Sequence, residues 1–305
     1  MLIIRDKSTI PENAKQGVVA LGNFDGLHLG HQSLINKAKE VATATGKPLG
    51  LLSFEPHPRS VFRPELPRLR IMRFREKAEM LAKQNMDFLR IIRFTQDFAS
   101  MPAEAFVANI LCEQLEVSHI VTGDDFTFGH NREGNAAFMQ EMSARYGFGY
   151  DALPELKLNG TRCSSTHIRH LLEKGAMEEV ACFLGREYSI SGCVQQGEKR
   201  GRELGFPTAN LTLSGLYTPA KGVYAVKVMY EGKVRKGVAN LGTKPTFSGQ
   251  KLGLEVHIFD FNDDIYGKFM TVSLLHFIRP EQKFTSFEAL KMQIIKDSAE
   301  AREKF

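Results

Sequence analysis

The chain has 305 residues, of which 43% are hydrophobic and 25% charged, an ordinary globular composition with enough apolar material for two cores. Its net charge of +5 suits anionic small molecules, but no Lys/Arg tract interleaved with aromatics stands out, so a nucleic-acid partner is not expected. No apolar run approaches the ~20 residues that span a bilayer, and the start MLIIRDKSTIPENAK lacks a signal-peptide pattern. Cys112, Cys163, Cys182 and Cys193 form no C-x-x-C pair, which points to reduced thiols and a cytoplasmic, soluble protein without a membrane partner.

The first informative stretch is an apolar run, 18–21, followed by Gly22-Asn23-Phe24-Asp25-Gly26-Leu27-His28-Leu29-Gly30-His31. Beyond it Leu34, Ile35, Ala38, Val41 and Ala42 recur with helical spacing, so the segment reads as strand, tight turn and helix start. A helix N-terminus presents unpaired N–H groups and a positive dipole end, a ready site for phosphate. His28 and His31 are three apart and so share a face, while Gly30 between them allows a ligand close to the backbone. A capped helix with two exposed histidines is the plain alternative; placement after a strand and a glycine turn favours a nucleotide site.

Strand-like segments at 18–24, 49–54, 88–94 and 119–122 alternate with helical patterns at 75–84, 103–115 and 136–146. That alternation predicts βαβ units, a parallel sheet covered on both faces, and ligands at the carboxyl ends of the strands. The second strand ends in Ser53-Phe54-Glu55-Pro56-His57-Pro58-Arg59, a stiff loop in which Phe54 and Phe62 could form an aromatic wall. A rigid surface loop is equally compatible with it. Gly123-Asp124-Asp125-Phe126-Thr127-Phe128-Gly129 repeats the acid, aromatic and glycine pattern after a later strand. Ser164-Ser165-Thr166-His167-Ile168-Arg169 opens a helical pair at 164–174 and 177–184; its hydroxyls suit N-caps, or with Arg169 the outer phosphates of a nucleotide.

The pattern changes near residue 186, which predicts domains at 1–186 and 187–305. Strands at 188–194, 222–230, 233–240, 254–261 and 269–277 follow without intervening helices, as in an antiparallel sheet or barrel, and a helix at 286–302 closes the chain. Gly197, Lys199, Gly201, Arg202, Gly205 and Pro207 lie in a glycine-rich basic loop fit for an anion, and no Walker A or protein-kinase motif occurs. Thr208 and Asn210 point the same way in an extended chain and offer hard oxygen donors of the kind Mg2+ accepts, or they bond their own backbone in a turn. Glu255 alternates with apolar neighbours in Leu254-Glu255-Val256-His257-Ile258, either a solvated glutamate or a general base for a substrate hydroxyl.

Taken together, GNFDGLHLGH, SFEPHPR, GDDFTFG, SSTHIR, GRELGFPTAN, GVANLGTKPTF, LEVHIFDF, DIYGK and FIRPEQKF, in this order, resemble the bacterial bifunctional riboflavin kinase/FMN adenylyltransferase (FAD synthetase) family over nearly the whole chain. The resemblance implies an α/β, Rossmann-like nucleotidyltransferase domain followed by an antiparallel riboflavin kinase β-barrel. It implies ATP as co-substrate, Mg2+, and riboflavin, FMN and FAD as substrates or products. In the first domain Gly22, Asn23, Phe24, Asp25, His28, Gly30, His31, Ser165, Thr166 and Arg169 would handle ATP. Phe54, Pro56, Pro58, Phe62, Asp125 and Phe128 would hold the flavin. In the second, the glycine-rich loop would bind ATP, Thr208 and Asn210 the metal, and Glu255 would be the base. The segment 68–77 is more basic than the family's usual polar stretch. An adenylate-forming ligase, and a chain with one half reduced to a regulatory flavin- or nucleotide-binding module, are the rival readings. Oligomeric state is left open.

Overall fold

A computed structural model describes residues 1–6, 8–63, 65, 69–196, 205–246 and 249–305, with side chains at 244–246 and 249–251 outside the description. The chain divides into two compact units, Met1–Ser165 and Thr166–Phe305.

In the first unit β1 (Leu2–Arg5), β2 (Val18–Leu21), β3 (Leu49–Glu55), β4 (Phe88–Arg93), β5 (His119–Gly123) and β6 (Gly149–Leu153) form one sheet in the order β1-β4-β3-β2-β5-β6. All of these pairs are parallel. The apolar runs VVAL and LGLLSF are buried on both faces, as a parallel sheet requires. Val19, Leu21, Leu52, Phe88 and Ile92 pack toward a π-helix, Phe106–Gln114, and α6 (Ala136–Tyr146). Val18, Ala20, Leu51, Leu89 and Ile91 pack toward α1 (Leu29–Thr45) and α3 (Phe74–Lys83). Strands β3 and β4 fit because position 50 is glycine: a Cβ there would lie 2.0 Å from the Phe88 ring. The remaining helices of this unit are α2 (Pro58–Phe62), α4 (Gln96–Ala99) and α5 (Ala103–Ala105), the last running into the π-helix.

The expected strand at 18–24 stops at Leu21, because the chain turns through Phe24 at φ +50° and Gly26 at φ +85°. The helical pattern at 103–115 proves to be mostly π-helix, since apolar periodicity reports the buried stripe and not the hydrogen-bond step. Edge strand β6 carries no continuous apolar run and β1 only the short Leu2–Ile4 one, and β7 (Lys157–Leu158) and β8 (Thr161–Arg162) make a small antiparallel hairpin before α7.

The second unit opens with α7 (Ser165–Lys174), whose first residue still belongs to the first unit, and α8 (Met177–Leu184). Its strands are β9 (Tyr188–Cys193), β10 (Ala209–Thr212), β11 (Gly222–Tyr230), β12 (Lys233–Thr246), β13 (Gly249–Ile258) and β14 (Phe269–Pro280). They are antiparallel in the order β10-β13-β12-β11-β14-β9. Past the end of β9 the Gln195 N–H donates to the Asn210 carbonyl at 2.8 Å, bringing the last strand back to the first and nearly closing a barrel. Tyr224, Val226, Val228, Leu254, Val256 and Val272 fill the interior without exposure. Helix α9 (Phe287–Glu303) covers Val223, Ala225 and Val238 through Ala301. It is fastened by a two-pronged Arg279–Asp297 ion pair at 2.8 and 2.7 Å.

Candidate active sites

The first site lies where the parallel sheet reverses direction. The chain moves outward through β2, β3 and β4, then returns to place β5 on the other side of β2, and ligands of open α/β sheets bind at such a switch point. The loop 22–27 leaves β2 there. Ser53 at the end of β3 donates to the Asn23 carbonyl at 3.0 Å, and Phe24 is fully buried against His31 with ring centroids 5.1 Å apart.

His28 is the N-cap of α1: its Nδ1 accepts the His31 N–H at 3.3 Å. The two imidazoles stack, centroids 3.6 Å apart and planes 18° from parallel. His28 is buried, with the Cys163 sulfur 3.7 Å from Nδ1. Burial raises the Cys163 thiol above its ordinary range, so it packs as a neutral group. A Cβ on Gly30 would meet the Cys163 carbonyl and the His28 ring at 3.2 Å, so the missing side chain serves this internal packing. Ser165 donates to the Asp25 carbonyl at 2.9 Å and so joins the start of α7 to the 22–27 loop.

Asp25 is buried and its carboxylate accepts the Ile71 N–H at 2.9 and 3.2 Å, so it grips the backbone of the basic segment ahead of α3, a use the sequence did not suggest. Thr166 and Arg169 fall in the second unit. There Arg169 is buried, with its guanidinium 6.0 Å from the centre of the Tyr217 ring, and the Tyr217 hydroxyl donates to Glu173. Desolvation and that glutamate push the Tyr217 phenol up to about 12.

Phe54 is buried, and Phe62, 58% exposed, does not stack on it; both meet Phe94, each with centroids 5.8 Å apart. The wall thus includes Phe94 and Phe98, neither of which the motifs marked. Pro56 follows a cis peptide, and Pro58 begins α2, capped by His57 accepting the Arg59 N–H at 3.2 Å. Phe128 stacks on Phe126 at 5.6 Å, and Asp125 is ion-paired with Arg162.

The second site lies on the barrel. Asn210 on β10 and Asn240 on β12 both stand opposite Glu255 on β13, so the three share one face of the sheet. Strand alternation adds His257 to that face, and Thr208 lies immediately before β10. The His257 Nδ1 lies 3.0 Å from the Pro207 carbonyl and therefore donates to it, fixing the tautomer. A cavity of about 230 Å³ is lined by Val194, Pro207, Thr208, Phe261, Asp263 and Tyr266. It takes in Pro207 and Thr208 but not Asn210 or Glu255, and its wall at 261–266 includes Asp263, which no sequence motif covers. Gly205 is exposed at φ +86°, whereas Gly197, Lys199, Gly201 and Arg202 lie outside the described residues. Among the described residues no group of three or more His, Cys, Asp or Glu could hold a metal. The Thr208 hydroxyl and Asn210 amide oxygen are hard oxygen donors of the type Mg2+ accepts.

A histidine-capped helix start at the switch point of a parallel sheet, followed by an antiparallel barrel, is an arrangement suited to a two-site nucleotide-dependent transferase. Residues 10–167 match the FAD synthetase family model and residues 184–305 the riboflavin kinase model. A bifunctional riboflavin kinase/FMN adenylyltransferase of Haemophilus influenzae is 41% identical over 288 residues, 94% of each chain. That of Escherichia coli K12 is 38% identical over 307 residues, 100% of this chain and 98% of its own. A crystal structure described as a macrolide-efflux protein from Streptococcus pneumoniae has a TM-score of 0.88 at 32% identity, covering 99% of both chains. Among the described residues no helix is long and apolar enough to cross a membrane. The chain belongs to the bifunctional riboflavin kinase/FMN adenylyltransferase family.

Proposed function

We propose that this chain converts riboflavin to FMN on the barrel and FMN to FAD on the parallel-sheet unit, consuming ATP at both. The observation that carries the two-activity reading is the presence of both family models on one chain, with relatives of the same double description aligned over its full length. That favours two working halves over a single active half with a regulatory partner.

In the kinase step Glu255 accepts the proton of the riboflavin 5′-hydroxyl as its oxygen attacks the γ-phosphorus of ATP, and ADP leaves. The pairing of Glu255 with Asn210 and Asn240 supports this, because it sets the carboxylate beside an amide of the metal pair. Mg2+ held by Thr208 and Asn210 would supply charge neutralisation of the ATP phosphates. Pro207 and the basic glycine loop hold the nucleotide.

In the adenylyl step the FMN phosphate is already an anionic nucleophile and needs no general base. It attacks the α-phosphorus of ATP and pyrophosphate leaves. The α1 N-terminus and the stacked His28–His31 pair stabilise the charge that develops on the α-phosphate. Ser165 holds the leaving pyrophosphate, and Phe54, Phe62 and Phe128 flank the flavin. The catalytic domains on this reading are 1–186 and 187–305, a boundary later in the chain than the division of the compact units after Ser165. The four cysteines, all free, suit a reducing cytoplasm. Incubation of the chain with riboflavin, ATP and Mg2+, followed by chromatography, yields both FMN and FAD on this reading; FMN alone would mean a silent first unit, and neither product would refute it.

A further inference from the structure

Lys77 lies on α3 and is buried, yet none of the motifs singles it out. Its ammonium donates to the Asn23 carbonyl at 3.1 Å and the Ser53 hydroxyl at 3.3 Å, and sits 3.7 Å from the Glu55 carboxylate. Ser53 donates to the same Asn23 carbonyl at 3.0 Å, and Arg70 holds the other Glu55 oxygen. Burial pulls the Lys77 ammonium below the ordinary lysine range, opposed by the charges of Glu55 and Asp25 and reinforced by that of Arg70.

Burying a lysine is costly, and α3 already docks through Ala78 and Leu81 without one. What the ammonium adds is a link between two loops. Asn23 belongs to the loop after β2, while Ser53 and Glu55 end β3 and begin the Pro56–Pro58 loop. The Asp25 carboxylate, gripping the Ile71 N–H, ties the same loop to the chain leading into α3. We propose that Lys77 is a positioning residue for adenylyl transfer: it fixes the ATP loop against the flavin loop, and so sets the line between the FMN phosphate and the α-phosphorus. This inference rests on the reading of those loops as the ATP and FMN sites.

Lys77→Met tests it without stranding a charge, since Arg70 still pairs with Glu55 and Ser53 still reaches Asn23. A misplacement of about 1 Å costs roughly 10²-fold in rate, so adenylylation kcat should fall by about that factor at saturating FMN and ATP. KM for each substrate should move little, and riboflavin phosphorylation by the same preparation should be unchanged. The pH profile separates positioning from mere stability. Wild-type adenylylation kcat should decline on the alkaline side as the ammonium loses its proton among Glu55, Asp25 and Arg70. In Lys77→Arg, whose guanidinium stays charged, that decline should be absent. A folded Met variant with wild-type kcat, or an alkaline decline identical in Lys77→Arg, would overturn the proposal. Should the Met variant not fold, Ser53→Ala decides: reduced adenylylation at an unchanged melting temperature supports the link, and unchanged adenylylation overturns it. A wild-type chain that makes no FAD from FMN would instead refute the underlying reading, before any variant is compared.

Discussion

Replacing His28 by Asn separates capping from catalysis. The cap itself is weak in this structure, with the His31 N–H at 3.3 Å from Nδ1, so losing it altogether costs about 0.5–1 kcal/mol. Asn is among the best N-caps and restores that bond. What the variant loses is the ring stack at 3.6 Å, an interaction of about 0.5–1.5 kcal/mol for an aromatic pair. The net stability change is therefore about 1 kcal/mol or less, a melting shift of roughly 2–4 °C for a unit of this size. Removal of a preorganised donor from a site of developing charge costs about 10²–10³ in rate, or about 2.7–4 kcal/mol. The assay is FAD formation from FMN at saturating Mg2+–ATP, with riboflavin phosphorylation by the same sample as control. An Asn variant that keeps more than a tenth of wild-type adenylylation, with melting unchanged, would show that His28 only caps the helix.

The other predictions concern the barrel unit. Glu255→Gln should lower kinase kcat by about 10²–10⁴ while leaving ATP affinity and FMN adenylylation as they were; wild-type kinase turnover would make Glu255 a surface residue. Asp297→Ala strands the Arg279 guanidinium, which is 19% exposed and faces a carboxylate only 5% exposed, and should cost about 3–5 kcal/mol. Calorimetry should then show the barrel transition roughly 10–20 °C lower, and a loss of only a few degrees would mean α9 is held by packing alone. A fragment of residues 187–305 should fold and phosphorylate riboflavin. One that also retains α8 should melt higher, because Val180 and Leu184 are fully buried in that unit. An unfolded or inactive 187–305 fragment would contradict the proposed boundary.

The elements legible in the sequence were those whose own residues state both their type and their burial. The apolar run before Gly22 and the helical spacing after His31 mark β2 and α1, and the uninterrupted β-rich runs after residue 186 mark the barrel. The edge strand Leu2–Arg5 was lost because it is only four residues long and its apolar Leu2 and Ile3 are exposed, so only Ile4 is buried and no alternation marks it. In the sites, residue type and spacing brought out the histidine pair, but not that His28 precedes the helix and caps it. Lys77 stood out only as the end of the basic segment 68–77, because its partners Asn23, Ser53 and Glu55 lie more than twenty residues away in sequence. The Asp25 contact with the Ile71 N–H was equally invisible, because the two residues lie far apart in sequence.

Tracing two phosphorus labels through a single incubation tests the central claim most directly. The full chain is given riboflavin and Mg2+ with ATP labelled on either the γ- or the α-phosphate, and the flavins are separated. If one chain carries out both transfers, the γ-label enters FMN and persists in FAD, whereas the α-label enters FAD alone. Absence of α-label from every flavin would leave the first unit without adenylyl transfer, and absence of γ-label from FMN would contradict the kinase assignment.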